Sequence, residues 1–222
     1  MKDAGHGLFH TYFQVFAVMV LADTILLVED DNALRLMVRG VLEIQGYPVL
    51  EADSRGSALN ILKNHIQIGV VILDLGLPPS PHTPVEGLAL IRSVGNIMRT
   101  VKIIVLTGQD QENTALEAIR EGAFDFLAKP VSSSEILHSV RRAFLFCHKE
   151  QEMAADGLTR LQVNARMSDG LKVVRDEVEE KLVRQVLQET GFNVYQSAAR
   201  LGLKRESFYY FLKKFGIERQ DD

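Results

Sequence analysis

Five short apolar segments alternate with segments of helical character between residues 24 and 150, and this alternation restricts the fold more than any other feature of the sequence. The apolar segments, at 24–28, 48–52, 70–73, 102–106 and 123–128, have the lengths and residue types of buried strands. The helical segments are 32–45, 54–65, 88–94, 110–121 and 132–150. Strands that alternate with helices predict an α/β fold: a five-stranded, doubly wound parallel sheet with helices on both faces.

Polar side chains follow four of the five predicted strands. Glu29 and Asp30 come after the first strand and Asp74 after the third, while Thr107 and Lys129 follow the fourth and fifth. Ligands of parallel sheets bind beyond the carboxyl ends of the strands, which share one edge. We therefore expect these five side chains to converge there.

Three carboxylates beside a lysine can bind a divalent cation and leave one carboxylate as a nucleophile. Mg²⁺ prefers oxygen ligands and pairs with phosphate, and an aspartate can attack a phosphoryl group to form an acyl phosphate. In this arrangement Asp30 would bind Mg²⁺ directly and Glu29 through water, while Asp74 would be the nucleophile. Lys129 would neutralise the phosphoryl oxygens, and the Thr107 hydroxyl would hydrogen-bond the new phosphoryl group.

Four motifs at predicted strand ends resemble those of the receiver domain of two-component response regulators. They are LLVEDD at 26–31, VILDLGLP at 71–78, IVLTG at 104–108 and DFLAKP at 125–130, and the resemblance covers about residues 24–147. It implies a flavodoxin-like fold in which Thr107 and Phe126 form the switch pair. Without the resemblance, Phe126 is as readily interpreted as a core residue.

The resemblance also assigns the phosphorylation site. It implies that Asp74 is the phosphoacceptor, that Glu29 and Asp30 are the acidic pair, and that the main-chain carbonyl of Gly76 is a further metal ligand. The alternative is that these carboxylates are solvated residues at strand ends and form no binding site. Their expected convergence at one edge of the sheet argues against it.

The connection from Asp74 to Gly87 departs from the family pattern, because it is longer than usual and contains PPSPHTP at 78–84. Prolines stiffen such a loop. His82 is interpreted as a solvated loop residue, with a ligand or phosphate contact as the alternative. The insertion would alter kinase access or the lifetime of the phosphoryl group.

The C-terminal part predicts three helices, at 173–190, 193–201 and 205–215, with a glycine turn between the last two that is typical of a helix-turn-helix. Between residues 193 and 219 there are six Lys or Arg residues against two Glu, a local charge of +4 in a chain of net charge −4. Such a local patch favours phosphate groups.

This part resembles the Fis-type helix-turn-helix of bacterial regulators over about residues 177–218. The matching residues are Asn193, SAARLGL at 197–203, KRESF at 204–208 and LKKFGI at 212–217. The resemblance implies that the last helix enters the major groove, that helix 173–190 packs against its copy in a dimer, and that five residues face DNA: Lys204, Arg205, Ser207, Tyr209 and Tyr210. Ala198, Leu201, Leu203, Phe208 and Leu212 are predicted core residues. The aromatic run FYYF at 208–211 departs from the pattern of the family, in which basic residues are usual at these positions. A helical domain that binds protein rather than DNA is therefore the alternative.

The sequence thus divides into an N-terminal extension (1–23), a receiver domain (24–149), a linker (150–172) and a Fis-type helix-turn-helix domain (173–222). The apolar part of the extension is too short for a spanning helix and lacks a signal-peptide pattern. An added element that packs on the body, a disordered tail and a start codon placed too far upstream all stay open for it. No G-x-x-x-x-G-K-[ST] motif lies between the two domains, so a central ATPase domain is not expected.

We expect a cytoplasmic, phosphorylation-dependent DNA-binding regulator with no membrane contact. Its single cysteine, Cys147, fits a reducing compartment. Its partners would be a sensor histidine kinase or phosphotransfer protein, double-stranded DNA and a second copy of the chain, and its cofactor Mg²⁺. We expect no enzyme activity beyond its own phosphorylation and dephosphorylation. Two alternatives are a signalling adaptor whose helical domain binds protein, and a phosphoryl hydrolase.

Overall fold

The computed structural model describes residues 23–65, 67–97, 100–108, 112–158, 161, 163, 168 and 170–217. Apart from Asp23, the predicted N-terminal extension lies outside these residues. The chain divides into two compact units, Met1–Leu158 and Thr159–Asp222.

The first unit contains a five-stranded parallel sheet. Its strands are β1 (Thr24–Val28), β2 (Val49–Ala52), β3 (Ile68–Asp74), β4 (Lys102–Thr107) and β5 (Asp125–Ala128). They lie in the order β2-β1-β3-β4-β5, and all neighbouring pairs are parallel. The predicted α/β, doubly wound fold is confirmed. The third strand begins two residues earlier than its apolar pattern predicts, because Ile68 continues the pairing with β1.

Helices cover both faces of this sheet. They are α1 (Asn32–Ile44), α2 (Arg55–Asn64), α3 (Val85–Ile97), α4 (Glu112–Arg120) and α5 (Ser133–Ala155). Alternate β1 residues point to opposite faces: Leu26 and Val28 pack with α2, α3 and α4, and Ile25 and Leu27 pack with α1 and α5. Because both faces are covered, the two neighbouring strands β1 and β3 are buried and almost entirely apolar.

Local capping determines where several helices begin. Asp31 caps α1 by accepting hydrogen bonds from the N–H groups of Ala33 and Leu34 at 2.8 and 2.9 Å. Ser54 and Ser132 each form a capping box at the start of α2 and α5. α5 continues to Ala155, into the segment predicted as linker.

The second unit contains α6 (Gly170–Glu189), α7 (Val194–Arg200) and α8 (Arg205–Lys214). Gly202, at φ +64°, allows the turn between α7 and α8. The predicted core is confirmed, since Ala198 and Phe208 are buried and Leu201, Leu203 and Leu212 pack against them. Among the described helices of both units, no helix is both long and apolar enough to span a membrane.

Candidate functional site

The carboxylates of Glu29, Asp30 and Asp74 meet at the carboxyl edge of the sheet. β1 and β3 are neighbours, and their register pairs Val28 with Leu73, so the residues that follow lie side by side. One carboxylate oxygen from each of the three residues lies within 4.8 Å of the others. The predicted convergence of these groups is thus present in the structure.

Lys129 brings a positive charge into this group from the end of β5. Its Nζ lies 2.9 Å from Oε2 of Glu29 and 3.1 Å from Oδ2 of Asp74. The Lys129 N–H donates to the carbonyl of Thr107 at 2.6 Å, which fixes the backbone beside β4. Asp125 anchors the start of β5 on α5 by accepting a hydrogen bond from Ser139 at 2.7 Å. The Lys129 side chain is therefore held between the two carboxylates.

Burial controls the electrostatics of the site. The side chain of Glu29 is only 1% exposed. Burial and the nearby charge of Asp74 raise the pKa of Glu29 from 4.5 to about 7, because they outweigh the opposite effect of Lys129. Burial alone would lower the pKa of Lys129, but the hydrogen bond to Glu29 and the charge of Asp74 raise it. Lys129 therefore stays charged, and Glu29 takes up a proton readily near neutral pH.

The three carboxylates fit a divalent cation. Their oxygens converge, they are hard donors of the kind Mg²⁺ prefers, and one lysine does not balance three negative charges. Gly76 lies in the following loop, where a Cβ would come within 2.5 Å of the Pro81 carbonyl oxygen and 3.6 Å of Oδ2 of Asp74. Only glycine fits this close approach, which places the Gly76 backbone beside the phosphoacceptor candidate.

Two further predicted residues lie near this edge in different environments. Thr107 ends β4 and is buried. Phe126 lies in β5, opposite Val105 of β4, and the residue is 45% exposed. β5 is the edge strand of the sheet, so Phe126 has a neighbouring strand on one side only and is partly in contact with solvent.

The proline-rich connection folds into a hydrogen-bonded loop. Ser80 donates its N–H to Leu77, and Thr83 donates to Ser80. Leu77 is buried, whereas His82 is exposed. The solvated interpretation of His82 therefore agrees with the structure.

The predicted DNA-contacting residues lie on and just before α8. All five are exposed: Lys204, Arg205, Ser207, Tyr209 and Tyr210. The Arg205 guanidinium donates to the Tyr209 hydroxyl at 3.2 Å and lies 5.6 Å from its ring centroid. This contact fixes the direction of the Arg205 side chain along the helix.

Acidic side chains neutralise part of the basic patch counted from the sequence. Lys214 lies 2.7 Å from Asp176 and 2.7 Å from Glu179 of α6. Arg200 lies 2.9 Å from Glu189. A count along the chain could not reveal these pairs, because the acidic partners lie outside the counted segment.

Sequence reasoning assigned no role to Arg35, whose guanidinium lies against the backbone of the acidic residues. Its only sequence signal is its position on the first turn of α1, where an arginine is usually a solvated residue.

A parallel sheet whose carboxyl edge carries three carboxylates and a lysine is the arrangement typical of the receiver class of domains. Comparison with known proteins gives the family: residues 25–141, just over half of the chain, match the "Response regulator receiver domain". The chain belongs to this family. Residues 174–215 match the "Bacterial regulatory protein, Fis family". The predicted combination of domains is confirmed, and residues 142–173 between the matches are too few for an ATPase domain.

Among curated proteins, the chain is similar to the C4-dicarboxylate transport transcriptional regulatory protein DctD of Rhizobium meliloti. The two are 28% identical over 77% of this chain and 35% of DctD. It is also 31% identical to the two-component response regulator PprB of Pseudomonas aeruginosa, over 65% of this chain and 50% of PprB. The chain thus spans half or less of the length of these relatives.

Solved structures agree with the fold. The receiver domain of NtrX from Brucella abortus has a TM-score of 0.51 and 30% identity, over 55% of this chain and 98% of that one. The beryllofluoride-activated NtrC4 receiver domain dimer has a TM-score of 0.51 and 27% identity, over 56% of this chain and 98% of that one.

Proposed function

We propose that this chain is a response regulator that accepts a phosphoryl group on Asp74 from the phosphohistidine of a sensor kinase or phosphotransfer protein. An Asp74 carboxylate oxygen attacks phosphorus, the P–N bond breaks, and its electron pair returns to the imidazole. The observation that carries this proposal is the position of Lys129 between Glu29 and Asp74. Phosphoryl transfer depends mainly on positioning the reacting groups and on neutralising the charge of the phosphoryl oxygens, and Lys129 lies where it can do so.

Each residue of the site has a separate part in this step. Glu29, Asp30 and Asp74, with the Gly76 carbonyl, would hold Mg²⁺, which when bound supplies neutralising charge for the phosphoryl oxygens. Lys129 neutralises the oxygens on the side facing β5. The acyl phosphate on Asp74 is then lost by hydrolysis, so the domain acts on itself and on no separate substrate.

Phosphorylation would be transmitted by Thr107 and Phe126. The Thr107 hydroxyl moves to hydrogen-bond the phosphoryl group and vacates space beside β5. The exposed Phe126 ring turns inward to occupy that space and so gains buried apolar area. This movement changes the surface formed by α4, β5 and α5.

We further propose that this surface or the linker then pairs two chains, and that α8 of each enters the major groove of DNA. Lys204 and Arg205, at the start of the helix, would lie near the bases, with Ser207, Tyr209 and Tyr210 behind them. The beryllofluoride-activated NtrC4 receiver domain, a dimer, supports phosphorylation-linked pairing.

The domain limits that we propose are 24–149 for the receiver domain, 150–172 for the linker and 173–222 for the DNA-binding domain. The compartment that we propose is the cytoplasm.

Phosphate uptake tests the first part. The full chain is incubated with acetyl phosphate and Mg²⁺, and its mass is measured. Wild type should gain one phosphoryl group and Asp74→Asn none. Asp53→Asn is the matched control, because Asp53 follows β2 at the same edge but accepts hydrogen bonds from Ser54 and Ser57 instead. Uptake by Asp74→Asn would contradict the site.

Fluorescence anisotropy on duplex DNA tests the second part. Binding should be salt-sensitive and should tighten when Mg²⁺ and beryllofluoride are added as a phosphoryl mimic. If the full chain binds no duplex in either state at low salt, the DNA-binding proposal fails.

A protein-binding helical domain is the second candidate, and it is favoured by exposed aromatic side chains. Tyr195 on α7 is 73% exposed, Tyr210 on α8 is 62% exposed, and Phe192 between α6 and α7 is also exposed. Phe192 has φ +62°, a conformation that bulky residues rarely adopt. Aromatic residues are enriched in protein interfaces. Retained partner binding without any duplex binding would support this candidate.

A further inference from the structure

The side chain of Arg35 joins the acidic loop after β1 to its neighbour β2. Its Nη1 donates to the main-chain carbonyl of Glu29 at 2.6 Å, and its Nη2 donates to Oδ1 of Asn32 at 3.0 Å. Its Nε lies 3.3 Å from Oε1 of Glu51, a β2 residue. Only 18% of the side chain is exposed, so it is packed into this position.

These contacts hold the loop at the point where the sheet ends. The Glu29 N–H donates to the Ala52 carbonyl at 3.1 Å, the last bond that ties this segment to β2. The Glu29 carbonyl points to Arg35 instead. The backbone that carries Glu29 and Asp30 is thus fixed on both sides, by Ala52 and by the Arg35–Glu51 pair.

We propose that Arg35, oriented by Glu51, is a positioning residue that sets the backbone of Glu29 and Asp30 so that their carboxylates meet Asp74 around the cation. The inference rests on the proposed function of this site. Arg35 acts through the main chain and contacts neither the cation nor the phosphoryl group. Its effect is therefore on how tightly the site holds the cation, with little effect on the transfer step once the cation is bound.

The chain offers a matched control in Arg39, one turn further along α1. Arg39 pairs with the same Glu51, at 2.7 Å, and with Glu43 at 2.8 Å. Its hydrogen bonds go to these side chains rather than to the backbone of the acidic loop. Arg39→Gln therefore removes the same charge from the same helix and from the same partner, and leaves the Glu29 carbonyl bonded to Arg35.

Two measurements on the full chain test the inference. Mg²⁺ affinity is measured by calorimetry, and the rate of phosphate uptake from acetyl phosphate is measured across a Mg²⁺ series. Arg35→Gln should weaken Mg²⁺ binding about tenfold, which is the lower end of the effects measured for residues that orient metal ligands. The Mg²⁺ concentration that gives half of the maximal uptake rate should rise by the same factor. The uptake rate at saturating Mg²⁺ should stay within about twofold of wild type. Arg35→Lys should recover part of the affinity, because an ammonium can still donate to the carbonyl.

Equal Mg²⁺ affinity of Arg35→Gln and Arg39→Gln overturns the inference, as does a loss of saturating rate with unchanged affinity. If Arg35→Gln does not fold, Arg35→Lys and Glu51→Gln decide, and Glu51→Gln must weaken Mg²⁺ binding more than Arg39→Gln does. Failure of the proposed function has a different signature. In that case wild type takes up no phosphate. The Mg²⁺ affinities of the variants, measured by calorimetry, still test whether Arg35 positions Glu29 and Asp30.

Discussion

Charged side chains are arranged differently in the two units. At the edge of the sheet, Glu29, Asp30 and Asp74 lie together with Lys129 between two of them. On the helical unit, Lys214 and Arg200 are each paired with acidic side chains of α6. The first arrangement leaves excess negative charge at one point, which a proton or a cation must balance. In the helical unit, the charges of Lys214 and Arg200 are balanced by their acidic partners.

The difference has a topological cause. In a parallel sheet every strand ends at the same edge, so residues from distant segments meet there regardless of charge. Helices in a small bundle offer neighbouring surfaces on which opposite charges can pair. Charges that the fold brings together without balancing them point to a site. Charges that pair within the fold contribute mainly to structure, and a count along the sequence does not separate the two kinds.

The largest expected effect concerns the core of the helical unit. Phe208→Ala should destabilise that unit by about 3–5 kcal/mol, because it removes a fully buried aromatic side chain and leaves a cavity. DNA binding should be lost, while phosphate uptake from acetyl phosphate stays at the wild-type rate, since the receiver unit has its own core. Thermal unfolding and uptake are measured on the same samples.

Tyr210→Ala is the control for Phe208→Ala, because Tyr210 is an exposed aromatic residue on the same helix. Its thermal unfolding should match wild type. A parallel loss of phosphate uptake in Phe208→Ala would show that the two units do not fold as separate cores.

The second effect is the pH dependence of receiver stability without divalent cations. Burial raises the pKa of Glu29 from 4.5 to about 7, so between these values the folded state holds a proton that the unfolded state has lost. The free energy of unfolding should therefore fall as pH rises from 5 to 8, by up to about 3 kcal/mol. Urea unfolding at both pH values measures it.

Glu29→Gln should flatten this pH profile, because the amide does not titrate. Glu135→Gln is the control. Hydrogen bonds from Ser132 lower the pKa of Glu135, so its titration lies below this pH window. Mg²⁺ should stabilise the protein more at pH 8 than at pH 5, since its ligands must be deprotonated. A stability that rises with pH in this range would contradict the environment assigned to Glu29.

Most of the fold and of the carboxylate edge could be predicted from the sequence. Strand ends are marked by abrupt changes from apolar to charged residues, as at Val28-Glu29, and the parallel topology then determines which ends meet. The Lys129 contacts follow from the same rule. Capping residues such as Ser54 and Ser132 marked helix starts for the same local reason.

Other contacts between residues of different helices, strands and loops could not be predicted from the sequence. The Arg35 bond to the Glu29 carbonyl depends on rotamers and on the position of β2, which no periodicity encodes. The pairing of Lys214 with Asp176 depends on how α6 packs against α8. The close approach of Pro81 to Gly76 depends on the path of an irregular loop.

Lys129 is the positive charge at the carboxylate edge, and its removal should have the third-largest effect. Lys129→Met should slow phosphate uptake about a hundredfold at saturating Mg²⁺, or about 2.7 kcal/mol, because a charge aimed at the phosphoryl oxygens is lost. Lys149→Met is the control, since Lys149 forms an exposed pair with Glu152 on α5. A rate within twofold of wild type, roughly the effect of a lost surface pair, would mean that Lys129 only balances the resting carboxylates.

The smallest effect compares two cations of the helical unit on DNA. Lys204 is exposed at the start of α8, whereas Lys214 is held by Asp176 and Glu179. If Lys204 contacts a phosphate, Lys204→Gln should reduce the slope of log affinity against log salt by about 1. Lys214→Gln should change the slope by less than half as much, about 0.5 or below, because its charge is already balanced within the fold, and should instead lower thermal stability. Anisotropy titrations at four salt concentrations measure both slopes. Equal slope changes would show that Lys214 leaves Asp176 and Glu179 to contact the DNA. The ion pairs of the helical unit would then be a feature of the free protein only.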